Sequence, residues 1–154
     1  MDMAHIKLLA AELRSVTIYN TIPPSFFRPL SRSSISRAEI LGIVVSLESK
    51  PKFLKFLLDD GTGCIPCILW LNHRHVPSTS NQNLMVEFTG CHARMVKLGE
   101  QLRVRGRITE YRGELQITVR DVLVERDPNM ETLHRLDCVR IAQQFIRCDS
   151  LGKD

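Results

Sequence analysis

An all-β fold, one closed barrel of five antiparallel strands with two helices attached, is predicted by three observations. Arg37 to Asn72 holds three apolar runs separated only by short turns. Gly99 to Val124 holds two further runs in which apolar and polar residues alternate. Two stretches with helical spacing, Asn83 to Val96 and the segment opened by Asp127-Pro128, lie between these blocks and after them.

Taken in order, residues 1–36 read as a lead-in. Residues 5–15 place apolar side chains at Ile6, Leu8, Leu9, Ala10 and Leu13, a spacing that suits helix and strand equally. Thr21 to Ser36 carries Pro23, Pro24, Pro29 and several serines, which predicts an irregular connection packed over the barrel.

The barrel is expected over 37–126. Ile40 to Leu47 is rich in β-branched residues and predicts a strand near 38–48. After the turn at Lys50-Pro51, Phe53 to Leu58 predicts a strand over 52–59. Asp59-Asp60-Gly61-Thr62-Gly63 is too short for anything but a hairpin, with glycines free to take positive φ. Ile65 to Leu71 gives a third strand, 64–71, which contains the only Trp, Trp70. His73 to Gln82 is a polar loop. Leu84, Met85, Phe88, Cys91, His92, Met95 and Val96 then recur at near-helical spacing, so a helix is expected over 83–96.

Leu102, Val104, Gly106 and Ile108 alternate with Arg103, Arg105 and Arg107, a period-two strand over 101–111 with an apolar and a basic face. Arg112-Gly113-Glu114 turns the chain. Leu115, Ile117 and Val119 alternate with Glu114, Gln116 and Thr118 in the partner strand, 114–125. At Asp127-Pro128 an N-cap acceptor precedes a proline at the first helical position. A helix over 127–147 follows, with Met130, Leu133, Cys138, Ile141, Ala142, Phe145 and Ile146 on its apolar face, and then a tail, 148–154. A three-strand meander, a helix and two more strands are the order of a five-stranded OB barrel.

At 154 residues the chain has one domain's length and can bury a core. The formal net charge of +4 leans mildly toward anionic partners. No apolar run approaches the roughly 18 residues of a membrane-spanning helix. The opening residues, with Asp2 and no long apolar region, predict no secretory signal. Five cysteines at irregular spacing suit reduced thiols in the cytosol or nucleus better than a disulfide framework.

Several of these features occur together and in order. They are the opening at Arg37–Ile43, the Asp-Asp-Gly-Thr-Gly hairpin, the Cys-x-x-Trp that ends at Trp70, the block VRGRITEYRG over 104–113, and the helix after Asp127-Pro128. In this the chain resembles the Stn-one family, the small OB-fold subunits of the CST telomere-capping complex, in the short plant-type form without the winged-helix half of longer relatives. It is more distantly similar to the middle subunit of replication protein A. The resemblance spans roughly 35–147. It implies a nuclear complex of three OB-fold proteins that binds single-stranded telomeric DNA, caps chromosome ends and assists telomere fill-in synthesis. The partners it implies are a small OB-fold subunit (Ten-one type), a large DNA-binding subunit (Ctc-one type) and DNA polymerase alpha-primase. It implies no cofactor.

The residues supply candidates for the two surfaces such a subunit needs. Arg103, Arg105 and Arg107 share a face with Tyr111, and Arg112 is adjacent; charges that track phosphates beside a ring that stacks on a base suit a single strand. The same arginines also suit the solvated outer face of a barrel strand. Trp70 fits a stacking platform or the core. Lys55 shares a face with Phe53, while Phe56 points the other way, so at most one of the two phenylalanines faces a groove. For a partner subunit, Leu133, Ile141, Ala142, Phe145 and Ile146 offer more apolar surface than one barrel end needs; in the replication protein A family the matching helix pairs with a helix of the small subunit.

Other chemistry finds little support. Cys64 and Cys67, three apart in a strand, point to opposite faces, so a metal site is not expected. Asp59 and Asp60 diverge within a turn. No enzyme is expected. Two alternatives to a DNA-binding subunit remain: an assembly subunit with negligible DNA affinity of its own, and a replication protein A-like or RNA-binding OB module.

Overall fold

A computed structural model describes residues 5–21, 24–27, 34–71 and 92–151, with side chains of the last helix described through residue 144. The barrel is formed by β5 (Arg37–Ser49), β6 (Phe53–Asp59), β7 (Cys64–Trp70), β8 (Gln101–Tyr111) and β9 (Glu114–Val124). Their order is β5-β6-β7-β9-β8, and a β5–β8 pairing closes the ring. The expected all-antiparallel barrel is corrected at one seam, where β7 and β9, not consecutive in the chain, pair in parallel with Cys67 opposite Ile117. Each boundary lies within one residue of its expected place.

β5 closes the barrel because it is long enough to serve two partners. Its first half pairs with β8, Arg37 opposite Arg107 through Ile43 opposite Gln101. Its second half pairs with β6, and a bulge between Val44 and Ser46 bends the strand where it changes partner. Alternation sends Leu54, Phe56 and Leu58 of β6 inward, to join Ile40, Val44, Ile65, Cys67, Leu102, Val104, Ile108 and Ile117 in one core. Pro66 is tolerated within β7 because its ladder to β9 begins only at Cys67.

The lead-in is more ordered than its composition predicts. Residues 5–15 divide between both readings: β1 (Ile6–Lys7) pairs in parallel with β5, and α1 (Ala10–Arg14) follows. The irregular connection expected over 21–36 is corrected: β2 (Thr17–Tyr19), β3 (Ser25–Phe27) and β4 (Ser34–Ile35) form a three-stranded antiparallel sheet. Phe26 and Ile35 drop from it into the core. Long-range pairing, invisible to local proline and serine content, decides these segments.

The Asp59–Gly63 hairpin holds this lead-in to the barrel. Asp60 Oδ2 accepts the Ala10 N–H at 2.7 Å and Thr62 Oγ1 accepts the Ala11 N–H at 3.1 Å. Arg14 donates to the Thr62 carbonyl. The two aspartates diverge as turn chemistry requires, and Asp60 and Thr62 each satisfy one donor at the start of α1 that has no partner within the helix.

Of the helix expected over 83–96, residues 83–91 lie outside the described residues; α2, a helical turn at 92–95, is its remaining part. α3 (Asn129–Leu151) extends four residues into the expected tail. Asp127 starts it as anticipated, with Oδ1 accepting the Asn129 N–H at 3.0 Å. His134 and Cys138 are buried against the lead-in, where His134 Nε2 lies 3.4 Å from the Leu8 carbonyl. Burial holds this imidazole below the usual histidine range. Lys7 to Asp137 at 2.7 Å and Arg135 to the Asp60 carbonyl at 2.7 Å pin the first half of α3.

A candidate nucleic-acid interface

Exposed rings and cations meet on the outer surface of the β6–β7 sheet and the β8–β9 turn. Phe53 and Trp70 are direct cross-strand partners, their ring centroids 5.5 Å apart at 65°. Edge-to-face contact fixes the indole while leaving it half exposed, at 50%. Lys55, two residues from Phe53 on the same face, brings Nζ within 5.8 Å of the Tyr111 ring. Arg112 lies over that ring at 5.2 Å. Tyr111 is itself 51% exposed.

The β8–β9 turn sets this geometry. Arg112 has φ 52° and Gly113 φ 81°, the paired positive values of a tight hairpin turn whose twist matches its strands. For glycine this is free, whereas for arginine it costs of order 1 kcal/mol. Phe53, Lys55, Trp70, Tyr111 and Arg112 thus form one face with three rings, two of them half exposed, and two cations. Bases can stack on such rings, and the cations lie where a sugar-phosphate backbone would pass.

The remaining arginines stand elsewhere. Arg103, 13% exposed, donates to Glu39 at 3.2 Å and to Glu125 at 3.3 Å. Arg105 donates through Nε to Glu39 at 2.7 Å, which holds its guanidinium pKa above the ordinary value. Glu39 is buried, and Lys7 completes the set at 3.9 Å. Here the basic face is largely neutralised by a carboxylate on the neighbouring strand. Glu39 is the functional neighbour that sequence reasoning missed; its signal is an acid set inside the apolar opening Ala38–Gly42. Arg107 keeps the face predicted for it but has no carboxylate partner among the described residues.

On α3, Leu133 is exposed, as are Leu136 and Val139, which the apolar reading left out. Ile141 and Ala142 are half-buried. The side chains of Phe145 and Ile146 lie outside the described ones. Cys64 is exposed and Cys67 buried, with burial pushing the Cys67 thiol well above its usual range. Among the described residues no group of three or more His, Cys, Asp or Glu could hold a metal.

Comparisons with known proteins bear on the family and the fold. Residues 38–125 match the family model described as OB-fold nucleic acid binding domain. The chain is 40% identical to CST complex subunit STN1 of Arabidopsis thaliana, over 96% of its own length and 94% of that protein. It is 28% identical to a 32 kDa subunit of replication protein A, also from Arabidopsis thaliana, over 72% of this chain but only 36% of that one. Among solved structures, a chain of the S. pombe Stn1-ten1 complex superposes with a TM-score of 0.77 at 14% identity, covering 97% of this chain and 98% of the other. At that identity the likeness is one of fold.

Proposed function

The chain belongs to the STN1 family of CST complex subunits, and from that premise we propose that it binds single-stranded telomeric DNA as the middle member of a three-part OB-fold complex. Its place is then the nucleus, at chromosome ends, and its work is protection of the telomere and support of fill-in synthesis. The observation that carries the reading is the exposed face of Phe53, Trp70, Lys55, Tyr111 and Arg112. A half-exposed indole braced by a second ring, and an arginine kept at positive φ beside a tyrosine, are arrangements that packing alone does not require.

The role is one of binding. Trp70 and Tyr111 stack on bases, while Lys55 and Arg112 neutralise phosphates and stay free of any carboxylate partner among the described residues. Arg103 and Arg105 act on the fold through Glu39.

A second surface follows from α3. Leu133, Leu136 and Val139 leave an apolar stripe wet on the outer side of a helix whose inner side is already engaged. A stripe of this kind fits a helix of a Ten-one-type subunit; the solved Stn1-ten1 complex of the S. pombe relative supports that partner.

Anisotropy titrations of a labelled single strand test the DNA reading. Trp70→Ala and Tyr111→Ala are each expected to weaken binding about 10-fold, on the scale of 1–3 kcal/mol per stacked base, with the salt slope little changed. Wild-type affinity in both variants would leave assembly as the chain's sole role.

A further inference from the structure

A second group of cations lies further along β8, away from the rings. Beside Gly106, where β8 and β9 come too close for a Cβ to clear the Thr118 carbonyl oxygen, the outer surface opens. The opening is a cleft of about 470 Å³ lined by His5, Arg37, Gly106, Arg107, Thr118 and Arg120. Arg37 and Arg107 are direct cross-strand partners, a like-charge pairing that costs stability. Arg120 is the extra residue of a β9 bulge opposite the Arg105–Gly106 step, so the bulge adds a third guanidinium to the same cleft.

Unlike Arg103 and Arg105, none of these three arginines makes a hydrogen bond or ion pair among the described residues. Asp121, across from Arg105, is a carboxylate whose field reaches the cleft and falls short of balancing it. His5 Nε2 is buried there without a hydrogen-bond partner among the described residues. Burial, and then the charges of Arg120, Arg105 and Arg37, hold its pKa below the ordinary histidine value. Three guanidiniums and an imidazole nitrogen, all without a partner among the described residues, line one cleft and make a surface that lacks an anion.

The geometry points to a phosphate-binding site, one that takes a backbone phosphodiester of the single strand after it has crossed the aromatic face. This rests on the strand-binding reading of that face. Arg107 is four residues from Tyr111 along β8, about 13 Å at the rise of a strand. Stacked nucleotides at roughly 3.4 Å cover that distance in about four. Thr109 lies between, its Oγ1 2.9 Å from Thr118 Oγ1, so the path is polar throughout.

The test uses the full chain, single strands of about 3 nucleotides (roughly 10 Å when stacked) and about 18 nucleotides, and inorganic phosphate alone. The Arg37→Ala/Arg107→Ala/Arg120→Ala variant is expected to bind the long strand about 10-fold more weakly and to lower its salt slope by about 2. Its loss on the short strand stays below about 3-fold, because those cations lie beyond its reach. Inorganic phosphate is expected to shift the His5 ring resonances and raise its pKa in the parent but not in this variant. An unchanged melting temperature, and partial recovery with lysines at the three positions, exclude misfolding. Equal losses on both strands, or none on the long one, would overturn the proposal. A His5 response to phosphate without any long-strand effect would leave a free-anion site and overturn the strand path. If the triple variant loses the long strand while Trp70→Ala loses neither, the cleft stands and the aromatic-face reading falls.

Discussion

At the residue scale, placement depends on what each side chain meets across the strands. Alternation along 101–111 correctly separates the apolar from the basic positions, and it is silent about Glu39, which is 66 positions from Arg105 and binds it at 2.7 Å. Arg103 and Arg107 have the same sequence phase but different neighbours, so one is paired and the other has no carboxylate partner among the described residues. Arg112 shows the opposite case, a residue whose backbone records a cost that its side chain explains. Asparagine tolerates its φ of 52° far better and forms the favoured turn with Gly113. Arg112→Asn is therefore expected to raise the melting temperature by about 2–4 °C. The same variant is expected to weaken single-strand binding, because the cation above Tyr111 is gone. Denaturation and anisotropy on one preparation check both signs, and a gain in stability with no loss of binding would detach Arg112 from the site.

At the scale of elements, every barrel strand was legible because each is an apolar run bounded by turn residues. The lead-in sheet was not. β3 and β4 are two or three residues long and exist through pairing with each other, so no local period marks them. For α3 the helix and its cap were legible at Asp127-Pro128, while the division of its apolar residues between buried and exposed sides was not. Apolar residues at Leu133 and Ile141 fall on different sides, since the buried side is organised by His134 and Cys138 against the lead-in, which a hydrophobic pattern does not register. This directs the partner test to the outer stripe. Leu136→Glu/Val139→Glu is expected to abolish co-purification with the small OB-fold partner. The melting temperature of the isolated chain is expected to shift by less than about 2 °C, as surface changes do. A variant that keeps its partner places the interface elsewhere.

At the scale of the molecule, a net charge of +4 is small, and its distribution matters more than its size. Glu39, Glu125 and Asp137 absorb the cations nearest β1 and α3, which welds lead-in, barrel and last helix together. Among the described residues, Lys55 and Arg112 stay unpaired beside the exposed rings, and Arg37, Arg107 and Arg120 stay unpaired further along β8. The central claim is that a single strand lies on those rings. The most direct measurement is the emission of Trp70, the only tryptophan, during titration with telomeric single strand while anisotropy follows the same mixture. Stacking on the indole predicts quenching that saturates together with the anisotropy and is absent with duplex of the same sequence. Saturating anisotropy with unchanged emission would contradict the claim, because the strand would then be bound without touching Trp70.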